Sequence, residues 1–260
     1  MITGASAGIG AAFARVFAEN GFDLVLTARR EARLHELADE LGRKHSVSSR
    51  VIAADLADPG APRRIFDEIA SHGRHVDALV NNAGYGVPGS FRNASWSKHA
   101  DFIQVMITAV VHLTHLFEPG MRERGYGRII NVSSLAALVP GSAGHTLYGA
   151  AKSFLVKFSE SLSLEHVGSG VHVTALCPGF TYSEFHDVLG NRALVSKLPS
   201  YLWMDADSVA RQGYEAVMAG KPVFVNGPIN RAVAAAVKLM PQYAALALMR
   251  RQTKKIRVGD

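Results

Sequence analysis

Three glycines among the first ten residues constrain this chain more than any other feature. Gly4, Gly8 and Gly10 stand in Met-Ile-Thr-Gly-Ala-Ser-Ala-Gly-Ile-Gly, and behind them Ala11, Ala12, Phe13, Val16 and Phe17 recur with a helical period. A turn so rich in glycine lets the backbone approach a phosphate closely. The helix it opens offers unpaired N–H groups and a partial positive charge to a pyrophosphate. The run from Asp23 to Thr27 then reads as a buried strand, completing half of a dinucleotide-binding unit. The first strand of such a unit is central and apolar, yet only Met1 and Ile2 precede Thr3, so this strand is expected to be truncated.

The alternation continues along the chain. A solvated helix is expected over Glu31 to Lys44, a strand from Arg50 to Ala54 and a helix from about Arg63 to His72. A fourth strand, Val76 to Val80, ends in Asn81-Asn82-Ala83-Gly84, and a long helical segment follows from about Ser95 to Arg124. Gly127 to Ser133 is the fifth strand. The helix carrying Tyr148 and Lys152 continues to about His166, Val171 to Cys177 is the sixth strand, and Pro222 to Val225 the last short one. Strands and helices in this rhythm predict an α/β fold: a Rossmann-like, doubly wound parallel sheet in a single domain over residues 1–260, with ligands bound beyond the carboxyl ends of the strands. Composition agrees, because 48% hydrophobic and 19% charged residues suit a globular chain and exclude disorder and coiled coil. The net charge of +6 comes from scattered lysines and arginines with a basic tail, so no nucleic-acid surface is expected. A single cysteine, Cys177, excludes an internal disulfide and, with no secretory pattern, points to the cytoplasm.

Tyr148 and Lys152 are four residues apart, which on one helix face puts their Cβ atoms about 5–6 Å from each other. A cation held that close favours the phenolate and brings the proton into a useful range. A solvated surface pair has the same spacing. After the second strand come Arg29 and Arg30, where selection of NAD would call for an acid; their guanidiniums suit a 2′-phosphate and favour NADP over NAD. The same arginines also suit the start of a solvated helix. His112 and His115 lack a third ligand with matching spacing, so no metal site is expected.

With TGxxxGxG at Thr3 to Gly10, Asp55, Asn-Asn-Ala-Gly at 81–84, paired serines after a strand, YxxxK at 148–152 and Pro178-Gly179, residues 1 to about 226 resemble the short-chain dehydrogenase/reductase family. The resemblance implies that Tyr148 is the general acid for a carbonyl oxygen, or the base in reverse. It makes Lys152 the residue that lowers the phenol and binds the nicotinamide ribose, and Ser134 the hydroxyl that holds the substrate oxygen. NADP(H) would be held by Gly4, Ser6, Gly8, Ile9 and Gly10 in the first loop, by Arg29 and Arg30, and by Asp55 and Leu56 at the adenine. Asn82, Ala83 and Gly84 would wall the groove, and Pro178, Gly179, Thr181 and Ser183 would lie by the carboxamide. An NADP(H)-dependent oxidoreductase interconverting a hydrophobic carbonyl compound and its alcohol follows, with homo-oligomer formation through the long helices.

Between Pro178 and Asp205 an apolar density including Phe180, Tyr182, Phe185, Leu202 and Trp203 reads as a lid over a hydrophobic substrate, or as a local core or subunit contact. His145, His186, Arg192 and Lys197 are available to a substrate charge. The tail from about Asn230, ending with Arg250, Arg251, Lys254, Lys255 and Arg257, suits packing on the protein itself, over the site rim or against a subunit, in preference to an anionic membrane surface. Two positions depart from the family. Ser134 precedes Tyr148 by fourteen positions, one more than usual, which makes Ser133 the fallback hydroxyl. Where the family carries an Asn supporting a water that leads protons to the Lys, Ile103-Gln104-Val105 is followed by Met106. A weakened enzyme, or a protein that keeps NADP as a regulatory ligand, is the alternative this substitution raises; a membrane-surface or assembly role for the tail is a third. Met106→Asn is expected to raise kcat in steady-state carbonyl reduction, and an unchanged kcat would show that the proton relay does not limit turnover.

Overall fold

A computed structural model describes residues 1–144, 146–185, 196, 198–247 and 250. Seven parallel strands form one sheet in the order β3-β2-β1-β4-β5-β6-β9. These are β1 (Ile2–Thr3), β2 (Leu24–Ala28), β3 (Ser49–Ala53), β4 (Ala78–Asn81), β5 (Gly127–Val132), β6 (Val171–Cys177) and β9 (Val223–Val225). Two further short strands, β7 (Phe180–Thr181) and β8 (Trp203–Met204), pair with each other outside this sheet. The order reverses between β1 and β4, and a crevice opens at such a switch point beyond the strand ends.

Parallel strands need helical crossovers, which cover both faces. On one face α1 (Gly8–Glu19), α2 (Glu31–His45) and α7 (Ala206–Met218) bury Phe13, Phe17, Leu34, Leu41 and Val209 against Ile2, Leu26 and Val80. On the other, α3 (Ala61–Ser71) and α5 (Ala109–Glu123) bury Ile65, Ile69, Leu113 and Phe117 against Leu79, Ile129 and Val173. On β6, Val156 of α6 (Thr146–Glu165) packs with Ala175 and Cys177. A last helix, α8 (Pro228–Leu239), leads into the tail.

The expected elements are present, with small shifts at their ends. β1 is two residues long, as its sequence foretold, yet it occupies the centre, with Ile2 beside both Leu26 and Val80. The Met1 amine donates to the Ala78 carbonyl at 2.6 Å, extending that contact by one residue. The expected helix over Ser95 to Arg124 is not continuous in its hydrogen bonding. Ser95 caps α4 (Trp96–Ile103), and a π-helical turn over Gln104–Thr108 separates it from α5. This 28-residue run is apolar and long enough to cross a membrane by composition alone. Its buried residues Val105, Leu113, Phe117 and Met121 instead belong to the sheet core.

Candidate active site

The glycine loop is wedged against the end of β4. Gly4 has φ +66°, and a Cβ there would stand 2.8 Å from Asn82 Nδ2 and 2.9 Å from Ala83 Cα. Thr3 Oγ1 accepts hydrogen bonds from the N–H groups of Asn82 and Ala83, both at 3.0 Å, while Asn82 Nδ2 donates back to the Thr3 carbonyl at 3.0 Å. The two loops flanking the switch point are thus one rigid unit. Ala7 precedes α1 in extended conformation with no side-chain cap. The helix start is therefore open to an anion.

A cleft of about 1490 Å³ starts at this loop and runs from Arg29, Arg30, Asp55 and Leu56, past Asn82–Gly84, to Ser134, Tyr148 and Lys152, then to Pro178, Gly179, Thr181 and Ser183. Gly4, Ser6, Gly8 and Ile9 line it too. Gly10 does not: it sits beneath the loop, where a Cβ would come within 2.2 Å of the Gly4 carbonyl oxygen. The missing side chain there lets the helix and loop pack. A dinucleotide fits this floor, since the side-chain-free glycines leave the loop backbone bare and the uncapped helix start faces it.

At the adenosine end, Arg29 Nη1 lies 4.0 Å from Asp55 Oδ2. Arg30 donates to Ser6 Oγ at 3.2 and 3.1 Å and to Glu184 at 2.7 Å, and Arg33 donates to the other Glu184 oxygen at 2.6 Å. Neither Arg33 nor Glu184 was expected from sequence. Arg33 is three residues along the helix from Arg30, a spacing that shares a face. Glu184 carried no sequence signal.

The end of β5 resolves the two serines. Ser133 Oγ, buried, donates to the Lys152 carbonyl at 2.8 Å, so it fixes α6 to the strand. Ser134 is half-buried; its oxygen accepts from the Ala136 N–H at 3.1 Å and its hydroxyl reaches the Tyr148 phenol. The longer intervening loop therefore does not separate Ser134 from Tyr148. Lys152 Nζ donates to the Val132 carbonyl at 2.7 Å and lies 5.6 Å from the centre of the Tyr148 ring. Met106, 1% exposed, packs with Phe102 and Ala151, and a Cβ on Gly84 would stand 2.8 Å from its sulfur. A thioether thus lies buried behind Gly84, at the position where the family pattern calls for an amide.

The short chain dehydrogenase family model matches residues 1–192. The chain belongs to the short-chain dehydrogenase family. It is 38% identical over 187 residues to sulfoacetaldehyde reductase 2 of Chromohalobacter salexigens, covering 71% of this chain and 73% of that one. A solved structure of a 7β-hydroxysteroid dehydrogenase superposes with a TM-score of 0.84 at 26% identity, covering 95% of each chain. The short-chain dehydrogenase from Sphingobium yanoikuyae in complex with NADPH gives a TM-score of 0.80 at 30% identity, covering 93% of this chain and 95% of that one.

In this short-chain dehydrogenase the electrostatics differ from what the Tyr–Lys spacing predicted. Burial pushes the Tyr148 phenol up to about 12, against the lowering effect of the Ser134 hydrogen bond. Burial pushes the Lys152 ammonium down to about 8. The lysine turns to the Val132 carbonyl rather than to the phenol, so desolvation outweighs charge at Tyr148. On the substrate side, Val233 and Val237 of α8, with Met240, Ala245 and Leu202, line the cleft. Of the placements open to the tail, its described part takes the site rim. Phe185 stands with its ring 5.5 Å from that of Tyr148, while Phe180 and Tyr182 lean on Trp203 in a local cluster. His145, His186, Arg192, Lys197 and the tail's Arg251, Lys254, Lys255 and Arg257 lie outside the described residues.

Lys152 gives a pH test of its burial. Its folded value near 8 is below the ordinary 10.5, so the buried ammonium costs stability below about pH 8. That cost fades as pH rises toward 10.5, because the unfolded chain binds more protons in this window. The stability of the wild type relative to Lys152→Met is expected to rise by about 3 kcal/mol between pH 8 and pH 10.5 in chemical denaturation. A flat difference would contradict the burial.

Proposed function

We propose that this chain is an NADP(H)-dependent oxidoreductase that interconverts a hydrophobic carbonyl compound and its alcohol, with Tyr148 as the proton donor and acceptor. The observation carrying this reading is the meeting of Ser134, Tyr148 and Lys152 in the cleft that the glycine loop opens and apolar residues of the tail roof. The Sphingobium relative's complex with NADPH and the arginines at the adenosine end support the choice of cofactor. NADPH, when bound, supplies the hydride.

Tyr148 is a neutral phenol at physiological pH because its ionisation lies near 12, so it holds the proton that a carbonyl oxygen needs as charge develops there. Ser134 takes the Ala136 N–H on its oxygen, and its hydroxyl, which faces the Tyr148 phenol in the free protein, would turn its one proton to that substrate oxygen. Lys152 keeps one donor on the Val132 carbonyl and has two more for the ribose hydroxyls. The apolar rim of Leu202, Val233, Val237 and Met240 excludes water and selects an apolar substituent on the carbonyl. Exposed Trp96 and Phe154 on the long helices support a homo-oligomer, and the lone buried Cys177 supports a cytoplasmic site of action.

The test is NADPH oxidation with a panel of hydrophobic ketones and aldehydes beside small charged ones. Turnover is expected on the apolar members, and Tyr148→Phe is expected to lower kcat by about 10²–10⁴-fold with cofactor affinity retained. NADPH binding without turnover on any member would overturn the catalytic reading in favour of a cofactor-binding protein.

A further inference from the structure

Ser6, Arg30, Arg33 and Glu184 form a cluster at the adenosine end, in which Arg33 and Glu184 have no part in the reading above. Its composition is unusual for a site that takes an anion, because it already contains one. The two Glu184 oxygens are divided between two guanidiniums, Arg30 Nη1 at 2.7 Å and Arg33 Nη1 at 2.6 Å. The opposite edge of the Arg30 fork, Nε and Nη2, is spent on Ser6 Oγ at 3.2 and 3.1 Å. Ser6 belongs to the glycine loop, Arg30 and Arg33 to the turn and first turn of α2, and Glu184 to the chain beyond Pro178-Gly179. Three separate segments therefore meet at the Arg30 guanidinium.

We infer that Ser6, Arg30 and Arg33 are a clamp for the 2′-phosphate of the cofactor, and that Glu184 is a built-in competitor occupying this clamp until the phosphate displaces it. The inference rests on the NADP(H) reading above and adds two residues to it: Arg33 as a phosphate ligand, and Glu184 as the group that sets how strongly the phosphate is preferred. A carboxylate and a phosphate offer similarly spaced oxygens to a guanidinium, which is why one can stand in for the other. Glu184 is held as an anion by the same two arginines. Its side chain and those of Arg30 and Arg33 are each nearly half exposed, at 45%, 45% and 47%. Solvated ion pairs of this kind are weak and exchange readily, so a more highly charged phosphate can take the arginines from it. Arg29, 4.0 Å from Asp55, supplies a further positive charge at the same end of the cleft.

Calorimetric titration of the full chain with 2′,5′-ADP, which carries the phosphate, and 5′-AMP, which lacks it, tests this without turnover. Glu184→Gln removes the competing charge from an exposed position and is expected to lower the Kd for 2′,5′-ADP about three- to tenfold, with that for 5′-AMP unchanged; Glu184→Ala should behave alike. Arg33→Ala is expected to raise the Kd for 2′,5′-ADP about tenfold with no effect on 5′-AMP. If the wild type prefers 2′,5′-ADP but both Glu184 variants bind it no more tightly, the competition is overturned and the NADP reading stands. If Arg33→Ala matches the wild type, the clamp as drawn is overturned. If neither the wild type nor the Glu184 variants distinguish the two nucleotides, the inference and the cofactor reading fail together.

Discussion

Two hydrogen bonds at the carboxyl end of β5 hold the site in register. Ser133 Oγ donates to the Lys152 carbonyl and Lys152 Nζ donates to the Val132 carbonyl, so strand and helix are joined in both directions within one turn. Everything chemical in the cleft follows from that clasp. It sets where α6 begins to cross the sheet, and so where Tyr148 stands relative to Ser134. Deeper along the same helix, Asn131 of β5 donates to Ser159 Oγ at 2.9 Å and accepts from Asn81 of β4 at 2.9 Å. Buried polar chains of this kind specify one arrangement, because an unpaired member is costly.

The clasp also explains why the site's charges depart from a simple ion-pair picture. An ammonium bonded to a strand carbonyl inside the protein is desolvated without being neutralised, and its pKa falls. The phenol beside it is desolvated too, and its pKa rises. The two groups are left in opposite protonation tendencies: a phenol that keeps its proton and an amine that gives its own up more easily. At the other end of the cleft the groups stay in water, since the side chains of Arg30, Arg33 and Glu184 are each nearly half exposed. Burial governs the reacting end and water the recognition end.

How much of this could be read from the sequence follows the range of the interactions involved. The glycine turn, the strand–helix rhythm and the Tyr–Lys spacing are local patterns, and the structure places the elements they predict where expected. Even the short β1 was legible, because only two residues precede Thr3. The direction of Lys152 was not, because spacing says which face a side chain occupies and not which carbonyl it meets. The packing of Gly10 beneath Gly4 was not legible either, because the motif gives a spacing and close packing is a three-dimensional fact. Glu184 meets Arg30 across 154 residues of chain, and no periodicity reports such a pairing. The π turn at Gln104–Thr108 contains neither glycine nor proline, so nothing in its composition interrupted the expected helix.

The claim on which the account rests is that burial, not the neighbouring lysine, sets the protonation of Tyr148 in the free protein. Carbon NMR of the protein labelled at the tyrosine ring carbon bearing the hydroxyl, with Tyr148→Phe used for assignment, measures this directly. The account predicts that the Tyr148 signal stays that of a neutral phenol up to about pH 11, consistent with ionisation near 12. A Tyr148 signal that titrates below about pH 10, the ordinary tyrosine value, would contradict it.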